Sequence, residues 1–459
     1  MHDEADPLVN TSIRFETPRP GLARGVRKQL EAAGYLEREY VIRGAADLYA
    51  YDAGGNAVLQ RSALPFVTRA IVREPEDPAR ASGVTVIEAL HPAGDMASAW
   101  VRTGRTILRE GMRFVGVTQD VAGLSALKLQ DPVRYAELDI PEHGLGFDIV
   151  AQVASWLRSS GPWRVSHLFM TGASYTGTFQ RVFLGDGFHE RARRPDGGPA
   201  IDGYLIQISS GAFQLGGYTP LSRGSQPPPA GDRRRTIQPR DVPVIELLSE
   251  GEVETHSAAR RDDSDSADDR YRLYEVPGAA HMTSFDAGPM SLPVIEAPSD
   301  FPMDMLVGGA LVNLRGWVVD GVPPPRADRL VILPERAGGP CGRRPEARPL
   351  RRDEHGNAVG GLRSPWVDVP IATYYPHSTP RSVHGAPEGG APVRLEPADV
   401  ADLMGCMSAF PPEKLRALYG TPEHYRERFE AALQPLVDGR WIAAADAERA
   451  RRKREEVSF

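Results

Sequence analysis

Three short stretches of the chain hold residues whose types and spacing could perform acyl chemistry. The first, His167–Gly177 (HLFMTGASYTG), runs as an apolar strand to Gly172, presents Ser174, and at once begins a helical pattern. A serine on a strained turn between strand and helix stands clear of the sheet and can act as a nucleophile. Glycines nearby allow the close backbone approach that such a turn needs. The N–H that follows, that of Tyr175, can then face a substrate oxyanion. The familiar spacing G-x-S-x-G would put glycine at 176, but Thr176 is there and Gly177 follows. The competing expectation is a serine that N-caps an ordinary helix.

The second stretch, YRLYEVPGAAHMTSF (Tyr271–Phe285), is a strand pattern, a turn at Pro277-Gly278 and then His281, 107 residues after Ser174. A histidine on a loop after a late strand can take the proton of a serine hydroxyl and pass it to a leaving group. A carboxylate is expected between the two, to hold the imidazole tautomer and stabilise its cation. Val242–Glu254 (VPVIELLSEGEVE) offers Glu250, Glu252 and Glu254; Glu252 is preferred, with Glu250 as the alternative if the turn is one step tighter. The third stretch is the loop LHPAGDM (Leu90–Met96). Pro92 has no N–H, so a second oxyanion donor must come from the backbone of Ala93 or Gly94 or from the His91 side chain.

These stretches need elements to carry them. Strand patterns fall at Glu39–Tyr51, Pro65–Val72, Val84–Leu90, Arg113–Thr118, Ser166–Thr171, Ile201–Ser209, Val242–Leu248 and Tyr271–Val276. Several are almost continuously apolar, as strands covered on both faces are. Helical periodicity lies between them at Ala97–Gly111, Gly146–Ser159 and Tyr175–Arg193. This succession predicts an α/β fold with a mainly parallel sheet, entered through an antiparallel edge and flanked by helices. Gly211–Asp241, rich in Gly, Pro, Ser and Arg, is expected to be a flap or a mobile loop over the site. Met303–Asp320, Glu396–Met404, Pro411–Tyr419 and Pro422–Glu456 read as helices, with Gly338–Glu396 irregular. Asp120, Asp131 and Asp148, in turns or near a helix start, are read as structural. The expected division is an arm over 1–30, a core over 31–300 and a C-terminal extension over 301–459.

Composition excludes other classes. The 459 residues, 41% hydrophobic, are enough to bury a core without disulfides or metal clusters. A net charge of −7 (54 basic, 61 acidic) does not favour nucleic acid or an anionic membrane. Only four of the basic residues are lysine, a bias of a GC-rich genome, and the Arg233–Arg235, Arg351-Arg352 and Arg449–Arg454 clusters are expected on solvated surface. Two cysteines, Cys341 and Cys406, make no framework and no zinc spacing. No apolar leader and no 18-residue apolar run is present, so a cytoplasmic protein without membrane insertion is expected. Phosphate-loop, dinucleotide and HExxH motifs are missing, so neither cofactor nor metal is expected.

The quoted motifs, with GYLEREYVIRGAADLY, RFVGVTQDVAGLSALKLQDPVRYAEL, LRGWVVDGVPPP, DEHGNAVGGLRSPWVDVP and GTPEHYRERFEAALQPLVDGRWIAAADAER, resemble the bacterial α/β-hydrolase domain family over roughly residues 30–456. The resemblance implies an α/β-hydrolase fold with a serine nucleophile at Ser174 and a histidine at His281. It further implies an esterase or related acyl hydrolase that needs no cofactor. His91 stands where a small polar residue is expected, and the Gly211–Asp241 insert is unusually rich in Pro and Arg. The function expected is hydrolysis of an ester, lactone or thioester of a small acyl substrate. The alternatives are an acyltransferase or cyclase using the same acyl-enzyme, and a non-catalytic binding protein on this fold.

Overall fold

The structure is a computed structural model that describes residues 13–215, 217–287, 293–334, 348–381 and 396–459. It divides into two compact units, one reaching to Val244 and including Ser266–Arg270, the other formed by Ile245–Asp265 and the chain from Tyr271 onward.

In the first unit the strands are β1 (Arg14–Phe15), β2 (Arg19–Pro20), β3 (Tyr35–Tyr51), β4 (Ala57–Pro75), β5 (Val84–Ala89), β6 (Arg113–Val117), β7 (His167–Ala173) and β8 (Gly203–Gln207). Their order is β1-β3-β4-β6-β5-β7-β8, with β2 on β3. The long hairpin β3–β4 is antiparallel from Tyr35↔Pro75 to Tyr51↔Ala57, and β4 meets β6 antiparallel. From there β6, β5, β7 and β8 run parallel. This is the mainly parallel sheet with an antiparallel edge that the strand patterns predicted. Every residue of β5, β6 and β8 is buried, which is why those runs carry no polar alternation.

Helices cover the sheet: α1 (Arg27–Ala33), α2 (Trp100–Arg109), α3 (Val121–Gln130), α4 (Leu145–Ser159), α5 (Tyr175–Gly185) and α6 (Phe188–Arg191). α4 packs on β3 and β5, and α5 on β5, β7 and β8. The single helix expected over Tyr175–Arg193 is broken in two because Gly187, at φ +84, ends one axis and starts another. Asp120 caps α3 through the Ala122 N–H at 2.7 Å, and Asp131 accepts from the Arg134 N–H at 2.9 Å.

The Gly211–Asp241 insert is packed against its own unit. Ala212, Phe213, Leu215, Leu221 and Ile237 are buried in it. Arg234 and Arg235, expected on solvated surface, are half-buried ties whose guanidinium groups donate to the Gly55 and Pro228 carbonyls at 2.6 and 2.8 Å. Planar multi-donor groups suit this use, since coil backbone offers many unpaired carbonyls.

The second unit holds all but the edge residues of β9 (Val244–Ser249), β10 (Ser264–Ser266) and β11 (Asp269–Val276), in the order β9-β11-β10, and the antiparallel pair β12 (Ala372–Tyr375) and β13 (Cys406–Ala409). Its helices are α7 (Glu250–His256), α8 (Ser284–Ala287), α9 (Met303–Val319), α10 (Pro365–Asp368), α11 (Pro397–Leu403), α12 (Pro412–Tyr419), α13 (Pro422–Asp438) and α14 (Ala444–Glu455). α9 is buried along almost its whole first half, and Gly309 lets the Trp441 carbonyl approach to where a Cβ would stand 2.0 Å away. The continuous helix expected over Pro422–Glu456 breaks at this same crossing, between Gly439 and Ala443. In the basic cluster at the C-terminus, Arg451 and Arg454 pair with Glu430, and Arg449 with Asp304. Cys406 is buried, its thiol pushed up to about 11 by burial; Cys341 lies outside the described residues. Among the described residues no helix is long and apolar enough to cross a membrane.

Candidate active site

Ser174 follows the last residue of β7 and precedes the first of α5, with φ 60 and ψ −121. A non-glycine residue in that region is strained by about 1–3 kcal/mol and persists only where its surroundings force it. Here the Ser174 N–H donates to the Gln207 carbonyl on β8 at 3.1 Å, and its own carbonyl accepts from the Thr178 N–H at 2.9 Å. An N-cap serine sits in the extended region and uses its hydroxyl on the helix; Ser174 does neither. The glycines around it are required by contact. A Cβ on Gly172 would lie 2.3 Å from the Thr176 carbonyl, and one on Gly177 2.8 Å from Ser209 Cβ.

Thr176 explains the departure from the usual glycine spacing. Its side chain is buried in a polar niche, where Oγ1 accepts from the Ala173 N–H at 2.8 Å and lies 2.9 Å from Ser98 Oγ. The insert closes on the same turn from another side. Thr219 Oγ1 donates to the Tyr175 carbonyl at 3.1 Å, and Thr178 Oγ1 to the Gly217 carbonyl at 3.1 Å.

The 91–96 loop is a tight return in which the His91 and Met96 backbones bond each other at 2.8 and 3.2 Å. Gly94 and Asp95 supply its positive φ values of 77 and 55. Asp95 is anchored by Arg69 Nη2 at 2.5 Å and Thr118 Oγ1 at 2.8 Å, and Arg69 is held in turn by Glu39 at 2.6 Å. The Ala93 N–H, one of the expected oxyanion donors, points at His91 Nδ1 at 3.0 Å. A ring nitrogen that accepts there places the proton of the neutral imidazole on Nε2. The His91 ring lies 5.4 Å from that of Tyr175.

In the second unit the acid and the base meet. His281 Nδ1 is 2.7 Å from Glu252 Oε1, and both side chains are buried. Glu252 Oε2 accepts from the Ser249 N–H at 3.0 Å and the Ser249 hydroxyl at 2.6 Å. Burial works against ionisation of Glu252, but His281 and the two Ser249 donors outweigh it and hold the carboxyl below its ordinary value. Glu250, the alternative acid, faces elsewhere. Its Oε1 accepts from the Gly278 N–H at 2.5 Å, and Arg352 lies 2.7 Å from Oε2. Burial, partly offset by Arg352, raises its pKa. Glu254 points to His377 Nε2 at 2.9 Å. The sequence carries a signal for this choice beyond chain order: Ser249-x-x-Glu252 is the S-x-x-E pattern that turns an N3 carboxylate back on its cap. A second signal, which motif spacing misses, is Glu88, a lone charge inside the apolar strand β5.

Among the described residues no group of three or more His, Cys, Asp or Glu side chains is arranged to hold a metal ion. The first unit offers a strained serine turn and the tight 91–96 loop, and the second a histidine held by a buried carboxylate; groups of these kinds serve acyl transfer.

Comparison with known proteins gives one match over nearly the whole chain: the profile described as "Alpha/beta hydrolase domain" covers residues 7–452. No curated protein matches it. Solved structures similar to it include a fungal esterase from Rhizomucor miehei (12% identity, 66% of this chain and 91% of that one, TM-score 0.35). A putative dienelactone hydrolase from Klebsiella pneumoniae subsp. pneumoniae MGH 78578 is 15% identical over 51% of this chain and 85% of its own, with TM-score 0.28. A thermostable esterase from Pseudomonas putida ECU1011 is 13% identical, over 50% and 70%, with TM-score 0.27.

Proposed function

Because the chain belongs to the alpha/beta hydrolase domain family, we propose that it is a serine hydrolase that cleaves a carboxylic ester, lactone or thioester through an acyl-enzyme. Ser174 Oγ attacks the carbonyl carbon while its proton passes to Nε2 of His281. The bond to the alcohol or thiol breaks as His281 returns that proton to the leaving group. Water then attacks the acyl-serine with His281 again as base, releasing the acid and restoring the Ser174 hydroxyl. Glu252 keeps the proton of the neutral ring on Nδ1 and stabilises the imidazolium. The Tyr175 N–H and a donor from the 91–94 loop, Gly94 N–H or His91 Nε2–H, hold the oxyanion. The insert at 211–241 and the C-terminal segments set acyl and alcohol preference.

The observation that carries this reading is the backbone of Ser174. Its φ of 60 is unneeded for a capping serine, yet suits a hydroxyl that must be presented from a strand-to-helix turn. The buried Glu252–His281 pair supports it independently, since a structural surface histidine has no need of a desolvated carboxylate. The test is intact-mass labelling with a fluorophosphonate. Wild-type protein is expected to gain one adduct that Ser174→Ala and His281→Ala lose. A folded wild-type protein that gains no adduct, or a Ser174→Ala variant that still does, overturns the proposal.

A further inference from the structure

β5 carries one charged residue, Glu88, and it is fully buried. Its Oε1 accepts from the Ala99 N–H at 2.8 Å, Ser98 Oγ at 3.0 Å and Thr176 Oγ1 at 3.3 Å. Those two hydroxyls also hold the backbone just before Ser174. Thr176 Oγ1 receives the Ala173 N–H, and Ser98 Oγ lies 3.2 Å from the Ala173 carbonyl. Glu88 Oε2 has no hydrogen-bond partner among the described residues. A buried carboxyl with one oxygen unsatisfied carries a desolvation cost, and it is kept where three buried donors, the Ala99 N–H among them, would lose their acceptor to an apolar residue. Its role is therefore to hold those donors in place.

We infer that Glu88 is a positioning residue for the Ser174 turn, acting through Ser98 and Thr176, and that its protonation reverses the hydroxyl chain beneath the nucleophile. The inference rests on the reading of Ser174 as nucleophile. When Glu88 is ionised, both hydroxyls donate to Oε1, and Thr176 keeps a lone pair for the Ala173 N–H. When Oε1 carries a proton it must donate, and Ser98 Oγ is the nearer hydroxyl. Ser98 then turns its own hydrogen to the Ala173 carbonyl at 3.2 Å, which Thr176 Oγ1 also reaches at 3.1 Å, so the two hydroxyls redistribute their bonds to the peptide preceding Ser174. The groups facing Glu88 are few. Arg73 on β4 is the nearby cation and is itself paired with Glu37; β6 presents Gly116 at the same level; the approach to α2 gives Ser98 and Ala99; α5 gives Thr176. Burial pushes the Glu88 carboxyl up to about 7, the three donors and Arg73 opposing it less strongly, so the reversal falls within reach of ordinary assay buffers.

The test compares wild type, Glu88→Gln, Thr176→Val and Thr176→Ser by fluorophosphonate labelling rate and by kcat/KM on p-nitrophenyl acetate from pH 5.5 to 9. Every other group is common to both proteins, so dividing the wild-type rate by the Glu88→Gln rate isolates the contribution of Glu88. That ratio is expected to change at least about threefold, with a midpoint near pH 7. Thr176→Val is expected to slow labelling by about tenfold, the scale of a small nucleophile displacement, and Thr176→Ser to restore it. A flat ratio overturns the inference, as does a Thr176→Val rate equal to that of Thr176→Ser. If Glu88→Gln fails to fold, the Thr176 pair alone decides. Ser174→Ala separates the two readings: an adduct that survives it overturns the nucleophile assignment, whereas a flat ratio on protein labelled at Ser174 overturns only the role of Glu88.

Discussion

Replacing Glu252 by glutamine changes one oxygen to an NH2 group in a site where every neighbour has a fixed role. Ser249 presents a backbone N–H at 3.0 Å, which can only donate. The amide oxygen of the substituted side chain must therefore face Ser249, and its NH2 group faces His281 Nδ1, 2.7 Å from the atom it replaces. An NH2 there makes Nδ1 an acceptor and moves the ring proton to Nε2, the nitrogen that has to receive the serine proton. The reversed amide would set two donors against each other at Ser249, at about 1–3 kcal/mol, so roughly 1–20% of molecules would hold the productive tautomer. Those molecules lack the anion that stabilises the imidazolium. Together the two effects predict a kcat about 10³–10⁴ lower with KM little changed. Glu250→Gln, which faces Gly278 and Arg352 instead, is expected to lower the melting temperature while leaving kcat within about threefold. Steady-state kinetics on p-nitrophenyl acetate, with circular dichroism for folding, measures both. A folded Glu252→Gln enzyme within tenfold of wild type would refute the tautomer argument, and a larger kcat loss in Glu250→Gln would reassign the acid.

Two further outcomes follow from named contacts. Gly172→Ala drives a methyl to 2.3 Å from the Thr176 carbonyl, so it should destabilise the protein by about 1–3 kcal/mol and abolish labelling at Ser174; an unchanged labelling rate would refute the contact. Asp148 is pushed up to about 6 from its ordinary 3.8, chiefly by burial, against hydrogen bonds from the Asp47 N–H and Gln152. The folded protein then keeps a proton that the unfolded chain has released, so stability falls as pH rises from about 4 to about 6, by roughly 3 kcal/mol, and is level above that. Asp148→Asn cannot release the proton, so denaturant melts of the two proteins should diverge over that window; parallel curves would refute the assignment.

Much of this molecule was legible in the pattern of its residues. Continuous apolar runs such as VTVIEA and GYLIQ announce strands buried on both faces, because local composition has to match an environment that is the same on either side. The Ser174 turn was legible too, since a strand pattern, two glycines and a helical pattern meet within a few residues. Helix ends were less so. The break at Gly439–Ala443 depends on where each segment finds packing partners, such as the Trp441 carbonyl against Gly309, and no periodicity records a partner that lies far away along the chain.

The side chains of the candidate site divide in the same way. Residue type and order along the chain proposed a serine, a histidine and a short choice of acids, because chemistry restricts which groups can attack, relay a proton and bear charge. Three contacts were set by the folded structure. Glu252 and Glu250 differ by two positions on α7, so helical phase turns one to His281 and the other to Arg352. The Ala93 N–H is directed at His91 Nδ1 by a loop whose shape is fixed from Arg69 and Glu39, far back in β4 and β3. Thr176 can stand in place of glycine because Glu88 and Ser98, from elsewhere in the chain, supply a polar niche for its hydroxyl. A hydrogen bond depends on direction as well as distance, and direction is set by the packing of every element that carries a partner, which a one-dimensional pattern does not contain.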